Sequence, residues 1–83
     1  MEKEILKEPQ FTDEIVSIIR SGLPDEEIIE KLHDYHDNDI AESLESLTEQ
    51  ERKKLYAALG MERMAEIFAY VDDAEPYLKE LSL

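Results

Sequence analysis

Apolar residues recur along the chain at intervals of three and four, and no stretch keeps the strict alternation of a half-buried strand. The pattern predicts an all-α fold of six short helices. In the first segment Phe11, Ile15, Ile18 and Ile19 fall on one side with Gly22, and "SGLP" closes it because Gly22 can turn left-handed and Pro24 can only begin a new helix. The second carries Asp25, Glu26 and Glu27 in its first turn, where the helix dipole favours anions, and Ile28, Ile29, Leu32 and Tyr35 form its stripe. The third is expected to start at Asp37 or Asn38, both good N-caps, and to bury Ile40, Ala41, Leu44 and Leu47.

Thr48 opens the fourth segment with "TEQE", a capping box in which the Thr48 hydroxyl serves the Glu51 amide and the Glu51 carboxylate reaches back. Leu55, Ala58 and Leu59 give its apolar face, Glu49 and Lys53 an i,i+4 ion pair, and Gly60 its end. The fifth runs from about Met61 to Val71 and presents Met61, Met64, Ala65, Phe68 and Val71. The sixth follows "DDAEP" with Tyr77, Leu78 and Leu81.

Helices under about 12–15 residues are marginal alone in water, so these must pack on one another. Short connections fold consecutive helices into hairpins, and the chain becomes a row of helical pairs. Residues 39–47 ("DIAESLESL") and 63–71 ("RMAEIFAYV") align with matched positions Ile40 and Met64, Ala41 and Ala65, Glu42 and Glu66, Leu44 and Phe68, Leu47 and Val71. Either a true repeat or the shared habit of short amphipathic helices accounts for that echo. Residues 11–83 are read as one helical-hairpin domain, and residues 1–10 as an N-terminal lead-in open to disorder.

Charge narrows the range of partners. Nine Lys and Arg against 22 Asp and Glu leave a net charge of −13, which repels phosphate backbones and anionic lipid and favours cations or basic protein surfaces. Nucleic acid is excluded as a direct partner. The plain alternative is that the acids only keep the domain soluble. The absence of Cys removes disulfides and thiolate metal sites. No apolar run approaches the roughly 20 residues of a bilayer crossing, and "MEKEILKEPQ" does not read as a signal peptide. For catalysis there is no Gly-rich phosphate loop, no Gly-x-Ser-x-Gly elbow and no Cys nucleophile, so no enzyme is expected.

With the helices placed, "LHDYHDNDIAESLESLTEQERKKLYAALGMERMAEIFAYVDD" (32–73) resembles the intracellular N domain of MgtE-type magnesium transporters and channels. Leu32, His36, Asp39, Ile40 and Ala41 match the family's Leu-x-x-x-His-Pro-Ala-Asp-Ile-Ala, Glu51 and Arg52 its Pro-Glu-Glu-Arg turn, and Ala65, Glu66, Ile67 and Phe68 its Ala-Ala-Glu-Val-Leu. Asp37-Asn38 stands where the family has Pro-Ala, and Thr48-Glu49-Gln50-Glu51 where it has a Ser/Asp-Pro-Glu-Glu turn. The resemblance implies a right-handed superhelix of stacked hairpins, incomplete at its C-terminal end, and a regulatory task. The domain would lie in the cytoplasm, at the cytosolic face of the inner membrane when part of the transporter. It would dock on CBS domains when magnesium is high, with Mg²⁺ bridging carboxylates across the interface. The alternative is a metal-free interaction scaffold like the helical modules of FliG-type motor switch proteins, whose acids meet a basic partner.

Mg²⁺ prefers oxygen ligands, keeps several waters and is often held by one or two carboxylates, so a weak bridging site needs no compact motif. The candidates are Glu62, Glu66 and Asp73, which with Ala69 follow i, i+4, i+7, i+11 along the fifth segment and share one stripe. Glu66 is the one aligned with the family's glutamate. Against a metal stands a solvated face, with Arg63 placed to neutralise Glu66 at i+3. The acids of "HDNDIAESLESLTEQE" (36–51) read mainly as helix chemistry and solubility, with a diffuse cation-binding face as the alternative. A calcium loop fails there because Ala41 and Glu42 occupy a ligand position and the glycine position. His33 and His36, beside Asp34 and Asp37, are read as residues at helix ends in preference to a Zn²⁺ or Ni²⁺ pair. Finally, Tyr77, Leu78, Leu81 and Leu83 form a last apolar face open to self-association.

Overall fold

The computed structural model describes residues 8–81, which form five α-helices and one 3-10 turn. They are α1 (Glu8–Arg20), α2 (Asp25–Leu32), α3 (Asp37–Ser43), the 3-10 turn (Leu44–Ser46), α4 (Glu49–Phe68) and α5 (Glu75–Leu81). Among the described residues there is no strand, as the periodicity predicts. The first helix reaches back to Glu8, into the segment read as a lead-in. Residues 1–7 of that lead-in, and Leu83 of the expected apolar face, lie outside the described residues.

Helices α1, α3 and α4 pack on one another, α2 closes against α1 and α4, and α5 lies on α4. One core results. Ile15, Ile19, Ile28, Leu32, Ile40, Leu44, Leu55, Met64 and Ile67 are each 2% exposed or less, and each such side chain contributes about 1.5–3 kcal/mol by leaving water. The four apolar positions expected of the third segment, Ile40, Ala41, Leu44 and Leu47, are all buried. A tighter turn makes that possible. The chain switches from α-helix to 3-10 at Leu44, and the Leu47 amide donates to the Leu44 carbonyl at 3.2 Å, which keeps both leucines on the core side.

The helix ends follow their sequence signals apart from the N-cap of α3. At the end of α1 Gly22 takes φ +82°, and the Ser21 hydroxyl donates to the Ile18 carbonyl at 2.6 Å while accepting from the Leu23 amide. The capping box forms as expected: the Glu51 amide donates to Thr48 Oγ1 at 3.2 Å and the Thr48 amide to Glu51 Oε1 at 2.8 Å. The same Glu51 carboxylate also accepts from Arg20 at the end of α1, with Nε–Oε2 2.7 Å and Nη2–Oε1 3.2 Å. Helix α3 starts at Asp37, within the expected bounds, but with a different cap. Its N-cap is His36, with no side-chain cap bond, and Asp37 is its first residue. The reason is tertiary: Arg63 Nε donates to Asp37 Oδ1 at 3.1 Å and its Nη2 to the Tyr35 carbonyl at 3.2 Å, drawing Asp37 away from a capping role.

Gly60 breaks the helical geometry where the sequence places the end of the fourth helix: at φ +86°, ψ 164° it makes a kink between two helical stretches, which together carry the label α4. The expected fourth and fifth helices correspond to those two stretches. Downstream of the bend the buried face is Met64, Ile67 and Phe68, whereas Met61 is 62% exposed and Ala65 is also exposed. The expected stripe of Met61, Met64, Ala65, Phe68 and Val71 is thus rotated. The helix stops at Phe68, and Val71 closes a turn on the Phe68 carbonyl at 3.0 Å.

A polar and aromatic clasp fastens α5. Arg52 on α4 donates from Nη2 to Glu80 Oε2 at 2.6 Å and from Nε to both Glu80 oxygens, while Nη1 reaches the Leu47 carbonyl at 2.6 Å and that of Leu44 at 3.3 Å. Tyr56 Oη donates to Glu80 Oε1 at 2.8 Å. Above them Tyr77 stacks on Phe68 with centroids 6.2 Å apart, and the Arg52 guanidinium lies 5.1 Å from the Tyr77 ring centre. Tyr77 and Leu81 therefore pack on the core. Of the described part of the expected self-association face only Leu78 stays exposed, at 48%.

Candidate functional site

The packing of α3 beside the end of α4 opens a groove of about 590 Å³. Glu42 and Glu45 line it together with Asp72, Asp73, Tyr70 and Tyr77. All four carboxylates are exposed. Glu42 and Glu45 reach this place because α3 buries Ile40, Ala41 and Leu44 and so turns its opposite side outward. Asp73 is held in the turn before α5, where its Oδ1 accepts from the Glu75 amide at 3.4 Å.

The three predicted site residues do not share one helical stripe. Glu62 and Glu66 are exposed on α4, but the helix ends at Phe68, and Asp73 lies beyond it on the turn. Arg63 does not neutralise Glu66, because its guanidinium is engaged with Asp37 and Tyr35. The exposed carboxylates thus divide into Glu62 with Glu66 on the helix and Asp73 with Asp72, Glu42 and Glu45 in the groove. No group of three or more His, Asp or Glu among the described residues is placed to hold one ion. That applies to His33 and His36 as well, both exposed at helix ends.

The acids of the stretch 36–51 have separate surroundings. Asp37, Glu49 and Glu51 have cationic partners from outside it: Arg63 at 3.1 Å, Lys53 at 3.1 Å and Arg20 at 2.7 Å. The Lys53 pair is the predicted i,i+4 contact. Hydrogen bonds from Arg20, then from the Thr48 backbone, hold the Glu51 carboxyl down to about 2. Arg52 and Tyr56 likewise lower Glu80 on the far side of α4. Glu42 and Glu45 remain for the groove, and Asp39 is buried. Their role was hidden in the sequence because it depends on α3 meeting a turn almost 30 positions later.

Comparison with known families matches residues 35–81, more than half of the chain, to the MgtE intracellular N domain. The chain belongs to that family. No curated protein and no solved structure matches it at a significant level. Within this MgtE N domain the matched segment spans α3, α4 and α5, and so takes in the whole groove apart from its α1 edge. Helices α1 and α2 precede the match yet supply Ile15, Ile19, Ile28 and Leu32 to the same core. No helix among the described residues is long and apolar enough to cross a membrane.

Proposed function

We propose that the chain is a magnesium-responsive regulatory module of an MgtE-type magnesium transporter or channel, docking on CBS domains through carboxylates bridged by Mg²⁺. Family membership across α3 to α5 carries this reading. Its chemistry agrees with the distribution of acids. Glu62, Glu66 and Asp73 are exposed, and single carboxylates that cannot close a site by themselves suit an ion that keeps most of its waters and takes its remaining ligands from a second surface. Mg²⁺ would also relieve the repulsion of a −13 chain approaching another acidic surface. In this reading the helices continue the stacking of a right-handed superhelix, and the module works at the cytosolic face of the inner membrane without chemistry of its own.

The test is association with the CBS-domain pair of an MgtE-type transporter, followed by isothermal titration calorimetry with and without MgCl₂ at constant ionic strength. Binding is expected to require Mg²⁺ and to weaken in Glu66→Gln and Asp73→Asn. Association indifferent to Mg²⁺ and to both substitutions would replace this reading with the metal-free scaffold. Absence of association in either condition would remove CBS docking altogether.

A further inference from the structure

A smaller notch, sharing no residue with the groove, is lined by Phe11 of α1, by Asp34, Tyr35 and His36 between α2 and α3, and by Asp39 of α3. Its volume is about 210 Å³. Asp39 is only 9% exposed, yet its carboxylate makes no hydrogen bond or ion pair among the described residues. Buried carboxylates are costly without a partner and ordinarily have one. Two aromatic rings stand beside it. Phe11, itself 40% exposed, meets Tyr35 edge to face with centroids 6.3 Å apart. Tyr35 is fixed in turn, since its Oη donates to Glu14 Oε1 at 2.6 Å, which with burial pushes the phenol up to about 12.

A buried carboxylate with no side-chain partner, a second carboxylate on Asp34 and an aromatic pair together select a cation that is also apolar along its stem. A hydrated divalent metal would find oxygen ligands in the two carboxylates but gains little from ring faces, so it leaves the aromatic pair without a part. Nor does a free drug-sized ligand, since the notch is smaller than the 300–1,000 Å³ typical of such pockets. We propose that this notch receives the ammonium or guanidinium end of a lysine or arginine side chain from a basic partner protein, the remaining affinity coming from the surfaces around it. The proposal is independent of the magnesium reading.

The whole 83-residue chain is titrated with N-acetyl-lysine-N-methylamide and its arginine counterpart, followed by ¹⁵N amide NMR. Controls are the neutral norleucine amide, and NaCl and MgCl₂ at matched ionic strength. Saturable millimolar shifts centred on Phe11, Asp34, Tyr35, His36 and Asp39 are expected from the cationic amides alone. Asp39→Asn is expected to weaken them roughly tenfold, the loss of one charge-assisted contact. Phe11→Leu is expected to weaken them several-fold while the domain stays folded, the edge-to-face contact with Tyr35 being lost. Absence of saturable shifts, equal shifts from norleucine or from salt, or unaltered binding in both variants would overturn the proposal. Tighter binding of spermidine than of the amino-acid amides would overturn the assignment to a protein side chain. Should Asp39→Asn fail to fold, Phe11→Leu and Asp34→Asn decide the matter.

Discussion

Replacing Arg52 by Ala tests whether the clasp holds α5 to the domain. Arg52 and Glu80 are 15% and 13% exposed at their side chains, with the bidentate contact at 2.6–3.2 Å. The substitution strips Glu80 of its cation and leaves the Leu44 and Leu47 carbonyls without their side-chain donor. Breaking a buried pair by removing one partner costs about 3–5 kcal/mol. Here the Tyr56 hydroxyl still serves Glu80, and the remaining exposure admits water, so about 3 kcal/mol is the better figure. A domain of this size loses roughly 4–8 °C of melting temperature per kcal/mol, which places the shift at about 12–24 °C. Urea denaturation followed by far-UV circular dichroism reads the free energy. A double-mutant cycle with Glu80→Gln reads the coupling, expected at about 1–3 kcal/mol. A loss under about 1 kcal/mol for Arg52→Ala, or zero coupling, would mean that α5 is held by its contacts through Tyr56, Tyr77 and Leu81 and that the Arg52–Glu80 pair adds nothing.

The other expectations concern acid and backbone. Because Glu51 falls to about 2 from the usual 4.5 and Glu80 is also lowered, their contribution to stability is full above the unfolded value and disappears as pH falls through the folded one. Thermal melts between about pH 5 and pH 2 are expected to show that loss in the parent chain and a shallower loss in Glu51→Gln and Glu80→Gln. Parallel declines would sink the assignment. The comparison with variants matters, since protonating the other acids also relieves the self-repulsion of a −13 chain and acts in the opposite direction. Gly60→Ala is expected to destabilise by about 1–3 kcal/mol in the same denaturation assay, because φ +86° with ψ 164° is a region that only glycine occupies readily. Beyond the adjoining backbone nothing lies within 4 Å of the added methyl, so the cost is one of backbone conformation, and a neutral result would show that α4 is not bent in solution.

How far the chain could be read beforehand depended on the range of the forces involved. Local rules served the first and third segments and the capping box: Ile15, Ile40, Leu44 and the Thr48–Glu51 pair are where spacing and cap chemistry put them. They failed where a distant group intervened. Arg63, placed at i+3 from Glu66, instead spans to Asp37, and His36 takes the N-cap position of α3. Gly60 was legible as the break between two helical stretches, but the face of the second stretch was not, since Ile67 turns inward in place of Met61 and Ala65. The candidate site divided the same way. Glu62, Glu66 and Asp73 were found as exposed acids at helical spacing, whereas the company of Glu42 and Glu45 around Asp73 exists only in the packed structure.

Glu51 joins two scales of organisation in one side chain: its Oε1 accepts from the Thr48 amide and from Arg20 Nη2, and its Oε2 from Arg20 Nε. The opening turn of α4 and the far end of α1 thus draw on the same two oxygens. Fraying at one end of the sequence has to be felt at the other, so amide hydrogen exchange in residues 48–52 should report on the anchoring of α1, although some 30 positions of chain separate them.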